Sequence, residues 1–418
     1  MQTNRDRFLI YGAALLRSLG IGLLGVLLGI VLFRAGASSL QIGLVIATGI
    51  AGGAAATSVV TFYGDMMGRR RTLVVLSLLA ALGGMGLALG PHFSVLLAIA
   101  FGGMLNGTGT DRSAAFALEQ AALPGLVSDS NRTWTISWYN VILDGGSAIG
   151  ALAAGLPFLL RGWLALDSAV SYRYILFGYA ALNLLSGILY LLMSPQVELA
   201  QATKSPSVGS VSPQTKSTVM KLAALFSLDS LGGGFLTDAL VSYWFFRRFG
   251  ISEHSLGVLF FVVHLLNAGS HLVAAWLAKR IGLLNTMVFT HLPSSVLLIA
   301  VPFAHSFNVA ILFFLLRESL ASMDVPTRQS YVAAEVRPEE RTFASGITNL
   351  TRNVGWAVGS SLAGIFMQGI AFSAPLVVGG GLKIGYDVLL YRSFRHLKPP
   401  EEQKSTVEQF APSEVNPI

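Results

Sequence analysis

The chain contains no cysteine, which excludes disulfides, thiolate metal sites and thiol nucleophiles. Charge is scarce as well. Only 12% of the 418 residues are Asp, Glu, Lys or Arg, against about 25% in a soluble protein. No glycine-rich loop ending in Gly-Lys-Ser/Thr is present, so nothing in the sequence points to ATP as a direct energy source. His-Glu-x-x-His is also absent, which excludes zincin chemistry. No enzymatic constellation stands out, and no nucleic-acid partner is expected. What remains is apolar: 53% hydrophobic residues and 45 glycines, with a mean hydropathy of +0.64. The apolar runs are long and do not alternate, unlike the strands of an outer-membrane barrel. The expected class is an all-α polytopic membrane protein.

Apolar segments near the roughly 20 residues needed to cross a bilayer recur twelve times, at about 8–33, 40–62, 72–90, 94–122, 134–160, 174–193, 222–246, 255–278, 284–304, 307–332, 342–369 and 372–391. The first run is too long for a signal-peptide core and reads as a retained helix. Residues 194–217 are rich in Ser, Pro and Gln and read as a flexible linker. The expected organisation is an N-terminal lobe at 1–193, a linker at 194–217, a C-terminal lobe at 218–392 and a disordered tail at 393–418. With both termini inside, seventeen Lys and Arg fall in inner loops and five in outer ones. That asymmetry predicts cytoplasmic termini and an even number of spans in a cell membrane.

The two halves repeat. Arg17-Ser-Leu-Gly aligns with Asp229-Ser-Leu-Gly, and Asp65, Gly68 and Thr72 align with Lys279, Gly282 and Thr286 at an offset of 214. Glu119-Gln120, Asn140 and Gly150 match Arg328-Gln329, Asn349 and Gly359 at an offset of 209. Parallel repeats of this kind place a binding site at their interface near the bilayer midplane.

Charges inside the spans are the candidate functional residues, because each costs about 2.5–3.5 kcal/mol on insertion scales unless it meets a partner or water. The acids are Asp111, Glu119, Asp144, Asp229, Asp238, Glu318, Asp324 and Asp387, and the bases Arg17, Arg112, Arg317, Arg328, Arg352 and Lys383. Asp324 and Arg328 share a helix face at i,i+4, as do Lys383 and Asp387. Asp144, Asp229, Asp238 and Glu119 are candidate proton carriers. Arg17, Arg112 and Arg328 suit an anionic group. Arg317, Glu318 and Asp324, with Asn140, Asn349 and Asn353, are candidate substrate contacts. Pro326 is a candidate hinge.

The stretch Thr61–Leu73, TFYGDMMGRRRTL, resembles the signature loop between helices two and three of the major facilitator superfamily. Asp65, Gly68, Arg69, Arg70 and Leu73 match, while Thr61 and Met66 depart from the pattern. The resemblance implies twelve helices in two pseudo-symmetric six-helix bundles, with helices one, four, seven and ten lining a central cavity. It also implies that the loop latches a cytoplasmic gate. On that basis two couples are expected across the cavity, Arg17 with Asp229 and Glu119 with Arg328. Each is either a gate or a static pair stabilising one lobe. The function implied is secondary transport of a small organic solute by alternating access, with a proton gradient as energy source and no cofactor. Efflux is the leading direction. The alternatives are proton-coupled uptake of an anionic metabolite, or a non-transporting receptor on the same fold. The chain is expected to act as a monomer in the lipid bilayer.

Overall fold

A computed structural model describes residues 2–111, 113–127, 129–195, 197, 212–325, 327–328 and 341–395. They form helices and connecting turns, with no strand among them. In chain order the helices are α1 (Gln2–Arg34), α2 (Ser39–Met67), α3 (Arg69–Ala88), α4 (Phe93–Gly102), α5 (Ala114–Ala122), α6 (Asp129–Ala153), α7 (Leu156–Leu164) and α8 (Ser168–Leu191). The second half has α9 (Pro213–Gly234), α10 (Asp238–Phe249), α11 (Glu253–Ile281), α12 (Leu283–Ala300), α13 (Phe307–Ala321), α14 (Arg341–Gly369) and α15 (Ala374–Phe394). They build twelve spans in two bundles. Some spans are single helices, while α4 with α5, α6 with α7 and α9 with α10 are spans in two pieces.

Among the described residues, eight helical stretches are long and apolar enough to cross a membrane by length and composition. The rest are interrupted or charged for identifiable reasons. The fourth span breaks between Gly102 and Ala114, and α13 ends at Ala321. Arg341 and Arg352 lie within α14, and Lys383, Asp387 and Arg392 within α15. The continuous fourth helix expected at 94–122 is therefore corrected. Its middle is irregular backbone, with Met104 at φ 50° and Gly109 at φ 76°. Such backbone survives at membrane depth only where protein covers it or it lines a cavity.

Local chemistry sets the helix starts. Ser38 and Gln41 form a capping box at α2, and Ser113, Thr237 and Ser252 cap α5, α10 and α11. Gly68 joins α2 to α3 at φ 84°, and its repeat partner Gly282 joins α11 to α12 at φ 88°. A residue with a Cβ is strained there, so both signature glycines are explained by backbone geometry. Arg70 donates to the Leu191 carbonyl, tying this junction to the end of α8. Arg69 is buried. The side chain of Asp65, Pro326 and most of the expected linker and tail lie outside the described residues.

The bundles meet along α2 with α14, α6 with α11, and α1 with α10. Small residues allow the approach. A Cβ at Gly29 would lie 2.4 Å from the Ala239 carbonyl oxygen, and one at Gly43 2.7 Å from that of Ser360. Cross-lobe hydrogen bonds run from the midplane to the face away from the start of α1 and the end of α15, here called the far face. Ala239 N donates to Gly107 O at 3.0 Å, joining the break in the fourth span to the break in the seventh. Ser39 and Tyr243 hydroxyls lie 3.0 Å apart, and Leu40 N donates to Gln368 Oε1 at 3.2 Å. At the rim, Arg161 Nη2 meets Glu253 Oε2 at 2.8 Å and the Tyr172 phenol donates to the same carboxylate.

Candidate functional site

Between the bundles, on the termini side of that seal, lies a cavity. Its polar lining is Asn106, Thr108, Ser113, Ser77, Asn183 and Asn353, with Trp356 and Tyr179 as aromatic walls and Arg17 at one edge. The rest is apolar or glycine, including Ile21, Gly49, Gly53 and Leu76. The broken fourth span supplies part of this wall. Asn106 holds the break in shape: its Oδ1 accepts from Thr108 N at 2.8 Å and its Nδ2 donates to Thr110 O at 2.9 Å. Of the asparagines proposed from sequence, Asn353 lines the cavity, whereas Asn140 and Asn349 are exposed.

Beside the cavity, the N-terminal bundle buries a charge network centred on one guanidinium. Arg17 on α1 donates to Glu119 through two nitrogens, at 2.5 and 3.1 Å, and to Asp111 at 2.7 Å. The Tyr139 and Tyr190 phenols also donate to Glu119, at 2.7 and 2.6 Å. Glu119 is fully buried and Arg17 is 8% exposed. The pattern is bidentate and charge-assisted, the strong form of such contacts. Four helices converge on it: α1, α5, α6 and α8.

The C-terminal bundle buries its own network at the pseudo-equivalent place. Arg328 meets Asp324 at 2.5 Å and Asp229 at 3.4 Å. Lys383 on α15 donates to Asp229 at 2.7 Å. His291 on α12 places Nδ1 3.0 Å from both oxygens of Asp387 and Nε2 3.4 Å from Lys383 Nζ. Arg352 reaches Ser230 Oγ at 3.2 Å on the same helix as Asp229.

These contacts correct the expected cross-cavity couples. Arg17 pairs with Glu119, and Asp229 with Arg328, each within its own bundle. The repeat identified the four positions, and the two bundles use them with opposite polarity. The physical reason is adjacency: the two partners in each pair sit on neighbouring helices of one bundle. Asp324 is engaged by Arg328, as its i,i+4 spacing predicts, and is not free for a substrate. Lys383 turns instead to Asp229, and Asp387 to His291. Arg317 is engaged by its neighbour Glu318, and neither lines the cavity. Asp144 on α6 has His271 of α11 as a titratable neighbour. Arg112 lies outside the described residues.

Asp238, which has no base nearby in sequence, gains one in space. His264 Nε2 on α11 stands 3.4 Å from its Oδ2. His291, Tyr190 and the Arg161–Glu253 pair escaped the sequence reading. A histidine inside the apolar run of α12, facing a span that itself carries Lys383 and Asp387, was a usable signal for His291. Arg161 and Glu253 read as ordinary loop charges, and nothing in their local sequence shows that they meet.

Comparison with known proteins fits this architecture. The family model described as Major Facilitator Superfamily matches residues 10–316 and, in a second overlapping match, 222–417. The chain is 26% identical over 418 residues to "Uncharacterized membrane protein YJR124C" of Saccharomyces cerevisiae, covering 93% of each. It is 24% identical over 267 residues to "Uncharacterized MFS-type transporter YceJ" of Bacillus subtilis, covering 61% of this chain and 64% of that one. Among solved structures, a point mutant of the nucleoside transporter NupG superposes with a TM-score of 0.72 at 14% identity, over 92% of this chain and 100% of that one. A bacterial homolog of the human lysosomal transporter Spinster, inward-facing and occupied, gives 0.74 at 13% identity, over 93% and 97%. A D-xylose–proton symporter gives 0.71 at 14% identity, over 94% and 98%.

Proposed function

The chain belongs to the Major Facilitator Superfamily, and from that premise we propose that it exports a small, uncharged, amphiphilic organic solute in exchange for protons. Its fold is that of a secondary transporter working by alternating access, not of an enzyme. We place it in a cell membrane with both termini cytoplasmic, as lobes at 1–193 and 218–392. The far face would then be external.

The observation that carries the substrate class is the cavity lining. Among the described residues its side chains are amides, hydroxyls, aromatics and aliphatics, and the one charged group among them, Arg17, is already held by two carboxylates and a phenol. A cation so engaged has little left for an anionic substrate. Arg328 is likewise held by Asp324 and Asp229. This favours export of a neutral solute over uptake of an anionic metabolite. A mostly apolar pocket with a few oriented polar groups is also what fixes small neutral ligands.

The test is transport into proteoliposomes by the full chain, with a panel of neutral, cationic and anionic solutes and an imposed pH gradient. Accumulation of a neutral solute driven by an acidic lumen supports the reading. Gradient-independent flux removes the proton, and selective uptake of the anionic members removes the substrate class. Asn353→Ala is expected to raise KM for a transported solute about 3- to 10-fold, the effect of losing one hydrogen bond of about 0.5–1.5 kcal/mol.

A further inference from the structure

Most buried acids among the described residues are locked into hydrogen-bonded networks. Glu119, Asp229, Asp324 and Asp387 each have at least one partner at 3.0 Å or less. Asp238 differs. Its Oδ2 is buried with no hydrogen-bond partner among the described residues, and the same holds for Nε2 of His264. The two orphaned atoms face each other at 3.4 Å. A buried polar atom without a partner costs about 1–3 kcal/mol, so a ligand is expected where two stand together.

We propose that Asp238 and His264 form the proton-binding site that couples transport to the gradient, a reading that rests on the proton-coupled transporter proposed above. One proton taken from water onto the carboxylate or the imidazole changes the pair from a net charge of −1 to 0 and makes the contact between Oδ2 and Nε2 charge-assisted or neutral in place of a buried anion. On release it returns to water at whichever face is open. The pair suits a proton better than a sodium ion, because an imidazole nitrogen is a poor partner for a hard alkali cation.

Its position suits the task. Asp238 opens α10, at the break in the seventh span, where the lobes touch. From the N-terminal lobe Gly25 and Gly109 pack against it. A Cβ at Gly109 would fall 1.7 Å from Oδ2, and one at Gly25 3.4 Å from the Asp238 Cβ. From α11 it meets His264. From α13 it faces Arg317 and Glu318, which pair with each other. Arg17, further along α1, is held by Glu119 and Asp111. The side chain is 18% exposed. Parting the lobes on the far face would remove the Gly25 and Gly109 cover and expose the pair there. An ionised pair at bilayer depth needs water, so an occluded state favours the protonated form.

The cysteine-free chain allows a direct test. Spin labels on Arg71→Cys and Lys279→Cys, exposed positions at the termini face of opposite lobes, report lobe separation in nanodiscs from about pH 5 to about pH 8. The expected result is a pH-dependent distance distribution in the parent. Asp238→Asn, close in shape and unable to ionise, should hold at high pH the distribution the parent adopts at low pH. His264→Gln should weaken the response or move its midpoint. A parent-like pH response in Asp238→Asn overturns the proposal, as does loss of the response in Glu119→Gln but not in Asp238→Asn, or a shift produced by sodium at fixed pH. If distances respond to pH through another residue, only this assignment fails. If the vesicle panel shows flux without pH dependence, coupling fails and transport stands. If no panel member is transported and the labels never move, the transport reading itself fails.

Discussion

The two buried charge networks occupy equivalent places in the two bundles and are built on opposite plans. In the N-terminal lobe one guanidinium, Arg17, serves two carboxylates and is backed by two phenols. In the C-terminal lobe acids and bases alternate in a chain from Asp324 through Arg328, Asp229 and His291 to Asp387, with Lys383 bound to Asp229 at its side. A hub fails when its centre is removed, whereas a chain loses one link. Both stitch helices within a bundle, so each lobe can move as a unit while the contacts that change lie at the boundary.

The largest effect is expected from the hub. Arg17→Met leaves Asp111 and Glu119 buried without their cation, and breaking a buried pair by removing one partner costs about 3–5 kcal/mol. The expected readout is a steep loss of folded protein in detergent melting, partly recovered by adding Glu119→Gln. Recovery in the double variant would confirm that the uncompensated carboxylate, not lost packing, is the cause.

Arg328→Met should cost less, near the lower end of about 3–5 kcal/mol, because Asp229 keeps Lys383 at 2.7 Å and only Asp324 is left unpaired. Equal losses for Arg17→Met and Arg328→Met would erase the distinction between hub and chain.

The smallest stability effect, and the clearest conformational one, belongs to the rim. Glu253 is buried and links Arg161 and Tyr172 across the lobes. Glu253→Gln is expected to leave melting nearly unchanged and to favour opening at the far face by about 1–1.5 kcal/mol, roughly a tenfold population change. Accessibility of a single introduced cysteine at that rim measures it. Unchanged accessibility would make the contact a passive surface pair, for which about 0–1 kcal/mol is usual.

The repeat made the important positions legible before their partners. Arg17, Glu119, Asp229 and Arg328 stand out because charges in apolar runs are costly and because they align between halves. Symmetry alone suggested partners across the cavity. The structure puts the partners inside each lobe, where Arg17 of α1 reaches Glu119 of α5 and Asp229 of α9 reaches Arg328 of the tenth span. Local features read better. The i,i+4 spacing of Asp324 and Arg328 and the turn at Gly68 depend on neighbours in sequence. The break in the fourth span had a signal in its composition, since Asn106-Gly-Thr-Gly-Thr-Asp111 departs from the apolar run, but run length alone carries a helix through it. Its backbone is held by Asn106 and by Ala239 from the other lobe.

By itself the sequence determined the membrane environment, the all-helical class, the family signature and the doubled plan, because these follow from run length, charge scarcity and spacing along the chain. Only the tertiary structure decided which charges pair, where the lobes seal, and that Asp238 and His264 meet. Those outcomes depend on which helices become neighbours. A buried charge takes whichever partner the packing brings within about 3 Å, whatever its distance in sequence.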